Sequence, residues 1–196
     1  MVLTATRSLS ATGTLGRQYT VKNHPILEEP SPDRRHEFLS AVARSRNLHQ
    51  HWAHPPGTTE DFNQNLERFR SGTHIGYWVC TENGDLAGAI DISEIDRRAF
   101  RSGHLAYYAF VPHSGHGYMT KGLGAVLDDA FGLHRLHRLE AYIDPDNEAS
   151  RQLVQRCGFR LEGLSPRTIK VAGRWRNLER WAIVSEEWTA TGPLAV

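Results

Sequence analysis

Gly115-His116-Gly117 stands between an apolar, strand-like run and a helix-like run, and about thirty residues further on Asn147 opens a second helix-like run that closes on Gly158-Phe159. A glycine loop feeding a helix start gathers unpaired backbone N–H groups and the positive end of the helix at one point. That is an anion site suited to a diphosphate. Taken alone, the glycines read more readily as a plain strand-to-helix turn. They are not the dinucleotide fingerprint, whose third glycine and distant acid are missing in this register. Nor are they a P-loop, which needs Gly-Lys-Ser/Thr at the helix start.

Those motifs need elements to hold them. Residues 33–48 and 58–70 place Phe38, Leu39, Val42 and Ala43, then Phe62, Leu66 and Phe69, at helical spacing. Asp33 and Thr58 or Thr59 are the expected N-caps. The period then changes to two apolar runs around Asn83-Gly84, the pattern of a β-hairpin, and a third strand covers 104–111. The helix after Gly117 carries a buried stripe of Met119, Leu123, Val126, Leu127 and Ala130. Residues 138–143 alternate as a strand. A helix over 147–157 turns Ala149, Leu153, Val154 and Cys157 inward, and Gly158 stops it. Strands at 166–172 and 178–185 close the order around a Gly173-Arg174 turn. Helices and strands in this sequence imply an α/β or α+β domain on a mixed sheet.

Composition bounds the function. The chain has 196 residues, with 23 Lys and Arg against 22 Asp and Glu, a net charge of +1. One domain is the default at this length. We expect it over 19–190, with flexible ends at 1–18 and 191–196. The balanced charge gives no basis for a nucleic-acid or membrane partner. No window holds the ~18 apolar residues of a membrane span, and the N-terminus lacks the apolar core of a secretory signal. Cys80 and Cys157 make no disulfide framework, which fits a reduced cytoplasmic protein. The eleven histidines include His49, His51 and His54 beside Pro55-Pro56, but no metal site is expected.

Together, Ser114-Gly115-His116-Gly117-Tyr118-Met119, Asn147, Ser150 and Gly158-Phe159 resemble the GCN5-related N-acetyltransferase (GNAT) superfamily. Its acetyl-coenzyme A motif is Gln/Arg-x-x-Gly-x-Gly/Ala. Gly117 matches it, while Ser114 and Met119 replace the usual residues and leave the backbone amides in place. The tail Gly173, Trp175, Arg176, Asn177 and Trp188 resembles the branch that acetylates N-terminal amines of ribosomal proteins. The resemblance covers about 20–188. It implies a mostly antiparallel sheet of about six or seven strands with helices on both faces. The strands at 104–111 and 138–143 would splay to form a V-shaped cofactor cleft.

The resemblance also implies a site. Pantetheine would run along strand 104–111, ending at Phe110 and Val111, and the diphosphate would meet the backbone of His116, Gly117, Tyr118, Met119 and Thr120. Asn147, Ser150 and Arg156 complete the expected cofactor contacts, with Arg151 and Lys121 as further phosphate partners. Direct attack of a neutral amine on the thioester is implied, with a backbone N–H near Tyr107–Phe110 for the oxyanion. Ser150 would protonate the leaving thiolate, or else cap its helix. Some relatives carry a glutamate base where this chain has Ile169. Glu94 is then the leading candidate base, ahead of His104 and His113, with Glu162 and Glu179 near in sequence. Trp52 and Tyr108 would line the acceptor pocket.

The expected activity is acetyl transfer from acetyl-CoA to a primary amine, with a protein or peptide N-terminus first. An amino sugar or antibiotic amine is the alternative, and a non-catalytic acyl-CoA-binding module the second. A peptide α-amine, with a pKa of about 7.7–8.0 against about 10.4 for lysine, costs only ~1 kcal/mol to deprotonate at pH 7, against ~4–5 for lysine. A site without a strong base therefore suits it. The protein is expected as a monomer or homodimer.

Overall fold

The computed structural model describes residues 27–50, 52–171 and 173–188, together with the backbone of Ala5–Arg7, Arg17–Tyr19 and Ile26. Among the described residues, nine strands form one sheet. They are β1 (Ala5–Arg7), β2 (Arg17–Tyr19), β3 (Ile26–Glu28), β4 (Ile75–Cys80), β5 (Leu86–Asp96), β6 (Ser102–Ala109), β7 (Arg138–Ile143), β8 (Arg160–Val171) and β9 (Arg174–Val184). The order is β1-β2-β3-β4-β5-β6-β7-β9-β8. Only β6 and β7 pair in parallel among the described residues. The helices are α1 (Arg35–Arg44), α2 (Arg46–His49), α3 (Thr59–Arg70), α4 (Tyr118–Gly132) and α5 (Glu148–Arg156).

Strand alternation divides the core into two faces. Trp78, Ala89 and Tyr108 sit opposite one another across β4, β5 and β6, and so do Gly76, Asp91 and Ala106. This face packs Trp78, Ala89 and Phe110 against Phe38 of α1 and Phe62 of α3, whose rings lie 5.2 Å apart and are tilted by 54°. The other face carries Tyr77, Ile90 and Tyr107 in register and is covered by α4 and α5 through Leu123, Val126, Leu127, Leu153 and Val154. A Cβ on Gly122 would stand 2.7 Å from the Val79 side chain, so glycine lets α4 settle closely onto β4.

Several local signals are confirmed. Thr58 Oγ1 accepts from the Asp61 N–H at 3.1 Å and caps α3. After α5, the Phe159 N–H donates to Val154 O and the Gly158 N–H to Gln155 O, both at 3.0 Å, with Gly158 at φ 84°. That double bond is the glycine-dependent Schellman stop.

Other expectations are corrected. Asp33 does not cap α1: it lies inside a 3-10 turn, Pro32–Arg34, capped by Ser31. The helix expected over 33–48 breaks at Ser45, whose buried Oγ accepts from the Val111 N–H at 3.0 Å. Ala149 is exposed at the edge of the cleft and not in the core. β8 begins at Arg160 and not at 166, because nearly all its side chains are exposed and it shows no alternation to read. β1, β2 and β3 are three residues each, too short to carry a period. Among the described residues, no helix is long and apolar enough to cross a membrane.

Candidate active site

The parallel ladder between β6 and β7 stops at Leu105 and Ala141, although β6 continues to Ala109 and β7 to Ile143. The strands part there. A cleft of about 1540 Å³ opens at the gap and is lined by residues of both sheet faces. The Phe110 N–H donates to Ala87 O at 2.8 Å, so Phe110 is committed to β5. Hydrogen bonding alternates along a strand, which turns the N–H groups of Tyr107 and Ala109 toward the gap. The Val111 N–H is already held by Ser45.

On the face covered by α4 and α5, backbone does most of the work. Gly115 and Gly117 have φ of 80° and 81°, a left-handed conformation that glycine adopts without penalty. Gly117 is the N-cap of α4 with no side-chain cap, so the first-turn N–H groups of Tyr118, Met119 and Thr120 have no side-chain acceptor there. Gly115, Gly117, Met119, Thr120 and Lys121 line the cleft. The His116 and Tyr118 side chains turn to a side depression instead, where Tyr118 Oη donates to Glu82 at 3.0 Å.

Asn147 caps α5, its Oδ1 accepting from the Ser150 N–H at 3.2 Å. The Ser150 hydroxyl lies 2.7 Å from Tyr107 Oη, and both line the cleft. Burial pushes the Tyr107 phenol well above its ordinary pKa, so it stays protonated at neutral pH. Ser150 therefore has both the backbone bond of a helix-start serine and a side-chain proton partner. Arg176 binds Asp144 at 2.8 Å and Asp146 at 3.1 Å, which pins the loop leading into Asn147.

The opposite face is built from side chains. Trp52 and Tyr108 line it, with His49, Asp61, Gln64, Asn65, Arg68 and Asp91. His49 Nε2 donates to Ala109 O at 2.8 Å and stands edge-on to Tyr108 at 5.6 Å. Tyr107 and Tyr108 lie on opposite faces of β6. Each lines the cleft from its own face, because the gap reaches both.

The charged candidates separate clearly. Arg156 and Lys121 line the cleft; Arg151 is paired with Glu148 and Glu179 and does not. Glu94 lies outside the cleft lining, 72% exposed at the side chain and 3.3 Å from His104. Glu162 is bound by Arg138, Arg160 and Arg180, and Glu179 by Arg151 and the Trp181 indole. His113 and Ile169 line the cleft. His51 lies outside the described residues, among which no group of three or more His, Cys, Asp or Glu could hold a metal. Sequence reasoning passed over Asp91. Its signal was a lone acid inside the otherwise apolar run Leu86–Ile92.

Residues 26–160 match the model of the acetyltransferase (GNAT) domain. The chain belongs to the GNAT acetyltransferases. The uS5-alanine N-acetyltransferase of Escherichia coli, whose substrate is a ribosomal protein, is 28% identical over 87% of this chain and 81% of that one. A probable N-acetyltransferase, YjcK of Bacillus subtilis, is 30% identical over 62% of this chain and 67% of its own length. The spermidine N(1)-acetyltransferase of Vibrio cholerae is 23% identical over 77% and 88%. The solved structure of Mycobacterium smegmatis RimJ in complex with CoA-disulfide has a TM-score of 0.71 and 26% identity, covering 83% of this chain and 82% of that one. The GNAT fold accounts for the splayed strands and the glycine-led helix, and this GNAT chain is an enzyme of the N-acetyltransferase class.

Proposed function

We propose that the protein transfers an acetyl group from acetyl-CoA to the N-terminal α-amine of a protein or peptide. The observation that carries the reading is the two-faced cleft. At about 1540 Å³ it exceeds the ~300–1,000 Å³ of a single small-ligand site and has room for a donor and an extended acceptor together. On the α4–α5 face, the first-turn amides with Lys121 and Arg156 suit a diphosphate, and the β6 edge suits an extended pantetheine chain. The Tyr107 or Ala109 N–H, turned toward the gap, would serve a tetrahedral oxyanion. Ser150, backed by Tyr107, supplies the proton for the departing thiolate.

On the other face, Trp52, Pro55 and Pro56 offer apolar surface, and Gln64 and Asn65 offer amides able to bond a peptide backbone. The similarity to the uS5-alanine enzyme over most of both chains supports a peptide acceptor. The second reading is a small polyamine, supported by the spermidine-acetylating relative and by Asp61 and Asp91 in the lining. A polyamine carries several positive charges, however, and the acceptor face also presents Arg68.

A panel of peptides, lysine-containing blocked peptides and small amines, assayed with acetyl-CoA by free-thiol release, tests this. Peptides with free N-termini are expected to turn over at least tenfold faster than the blocked peptides or polyamines. Faster turnover of polyamines would replace the first reading with the second.

A further inference from the structure

Among the described residues, the acceptor face holds one carboxylate with no hydrogen-bond or ion-pair partner. Asp91 lies mid-strand in β5, opposite Ala106 of β6, one residue beyond the last β6–β7 pair. Ala106 is small and exposed, so nothing in that row separates the Asp91 side chain from the gap, and both residues line the cleft. Among the described residues Asp91 makes no hydrogen bond or ion pair. The cleft's other acids differ: Asp144 is tied to Arg176 and Asp61 accepts from Thr58. A partly buried carboxylate without a partner is costly, and a cationic ligand removes that cost. The charged or titratable groups facing it are Arg68 of α3 and Tyr108 of β6, with His49 of α2 behind Tyr108. Gly76, its neighbour on β4, brings none.

From this geometry we infer that Asp91 is the general base, receiving the acceptor's ammonium group on the face opposite Ser150 and removing its proton. The inference rests on the acetyltransferase reading above and names the residue that reading lacks. The Asp91 carboxylate takes one proton from R–NH3+. The freed lone pair forms the C–N bond to the thioester carbon. The C–S bond then breaks as the carbonyl re-forms, its electron pair leaves with sulfur, which is protonated from Ser150, and the second proton shed by the acetylated nitrogen passes through water to restore the serine hydroxyl. Burial raises Asp91 to about 7, only slightly weaker as a base than an α-amine at about 7.7–8.0 and far weaker than lysine at about 10.4. The match favours α-amines.

The test is Asp91→Asn in the full chain, with thiol release followed from pH 6 to 9.5 using whichever amine turns over best with the wild type. Expected at pH 7 is a fall in kcat of about 10²-fold, since a positioned base contributes ~10²–10⁴. The wild-type limb near pH 7 should vanish, and activity should return as pH passes the amine's own pKa. A variant retaining a third of wild-type kcat at pH 7, or keeping that limb, overturns the assignment. Which amines the wild type accepts bears on the acceptor class alone. Carboxyl-13C NMR titration of the wild type gives a readout independent of turnover and of the variant's folding. A midpoint near 7 that falls when the amine is added is expected. A midpoint near 4 overturns the proposal.

Discussion

The two faces of the sheet at the β6–β7 gap are built on different principles. The α4–α5 face uses backbone: two left-handed glycines, three first-turn amides and a strand edge. Its side-chain chemistry is one hydroxyl pair, Ser150 and Tyr107. The α1–α3 face uses side chains brought from α2, the loop after it, α3, β5 and β6. Backbone recognition tolerates substitution, so Ser114 and Met119 can replace the usual motif residues without removing a single amide. Side-chain recognition does not, and under the proposed function the acceptor preference of this chain lies there.

The largest effect we expect on the first face follows from the hydroxyl pair. Ser150→Ala and Tyr107→Phe should each lower kcat by about 10²-fold, near 2.7 kcal/mol, with KM for acetyl-CoA within about threefold. If the two act as one relay across their 2.7 Å hydrogen bond, the double variant should be no worse than the more severe single. Steady-state kinetics on the three variants would show it. Multiplying losses, or a loss confined to KM, would make Ser150 a helix-start residue and return proton transfer to solvent.

The same contrast explains what the sequence made legible. The α4–α5 face comes from short continuous segments, so Gly117, Asn147, Ser150 and Gly158 could carry the resemblance to the family, where the glycines alone left a plain turn open. Tyr107 was visible as a strand residue, but its bond to Ser150 joins positions 43 residues apart. The acceptor face joins Trp52, Arg68, Asp91 and Tyr108, whose nearness exists only once α2 and α3 fold over the sheet. For the same reason the lone acid in the apolar run of β5 could be seen in the sequence, but not that Asp91 rather than Glu94 would line the gap. The strand, helix and hairpin periods were clear wherever one face is buried. They failed at β8, exposed along its length, and at the three-residue strands.

The second face can be tested through stability. Asp91 is raised from 3.8 to about 7 in the fold. The folded state therefore holds its proton where the unfolded chain has lost it, and stability falls as pH rises between about 4 and 7. The cost is absent below the unfolded pKa and complete above the folded one. Its ceiling is ~4 kcal/mol, less whatever solvent access relieves. Asp91→Asn should thus raise Tm by about 3–6 °C at pH 8 and leave it almost unchanged at pH 4. Calorimetry at the two pH values decides it. An equal shift at both would assign the effect to packing and remove the carboxylate from the account.

The smallest effect should come from Glu94, three residues along the same strand. The register between β5 and β6 shifts between Ser93 and Asp96, and Glu94 sits in that irregularity at φ 51°. The bulge turns its carboxylate to solvent and to His104, while Asp91, ahead of the bulge, keeps the alternation that aims it at the gap. Exposed pairs of this kind contribute ~0–1 kcal/mol. Glu94→Gln is therefore expected to hold kcat/KM within about twofold and stability within ~0.5 kcal/mol. A tenfold loss of activity at pH 7 would mean that the end of β5 reaches the acceptor after all. The distinction between these two acids, and with it the assignment of the base, would then fall.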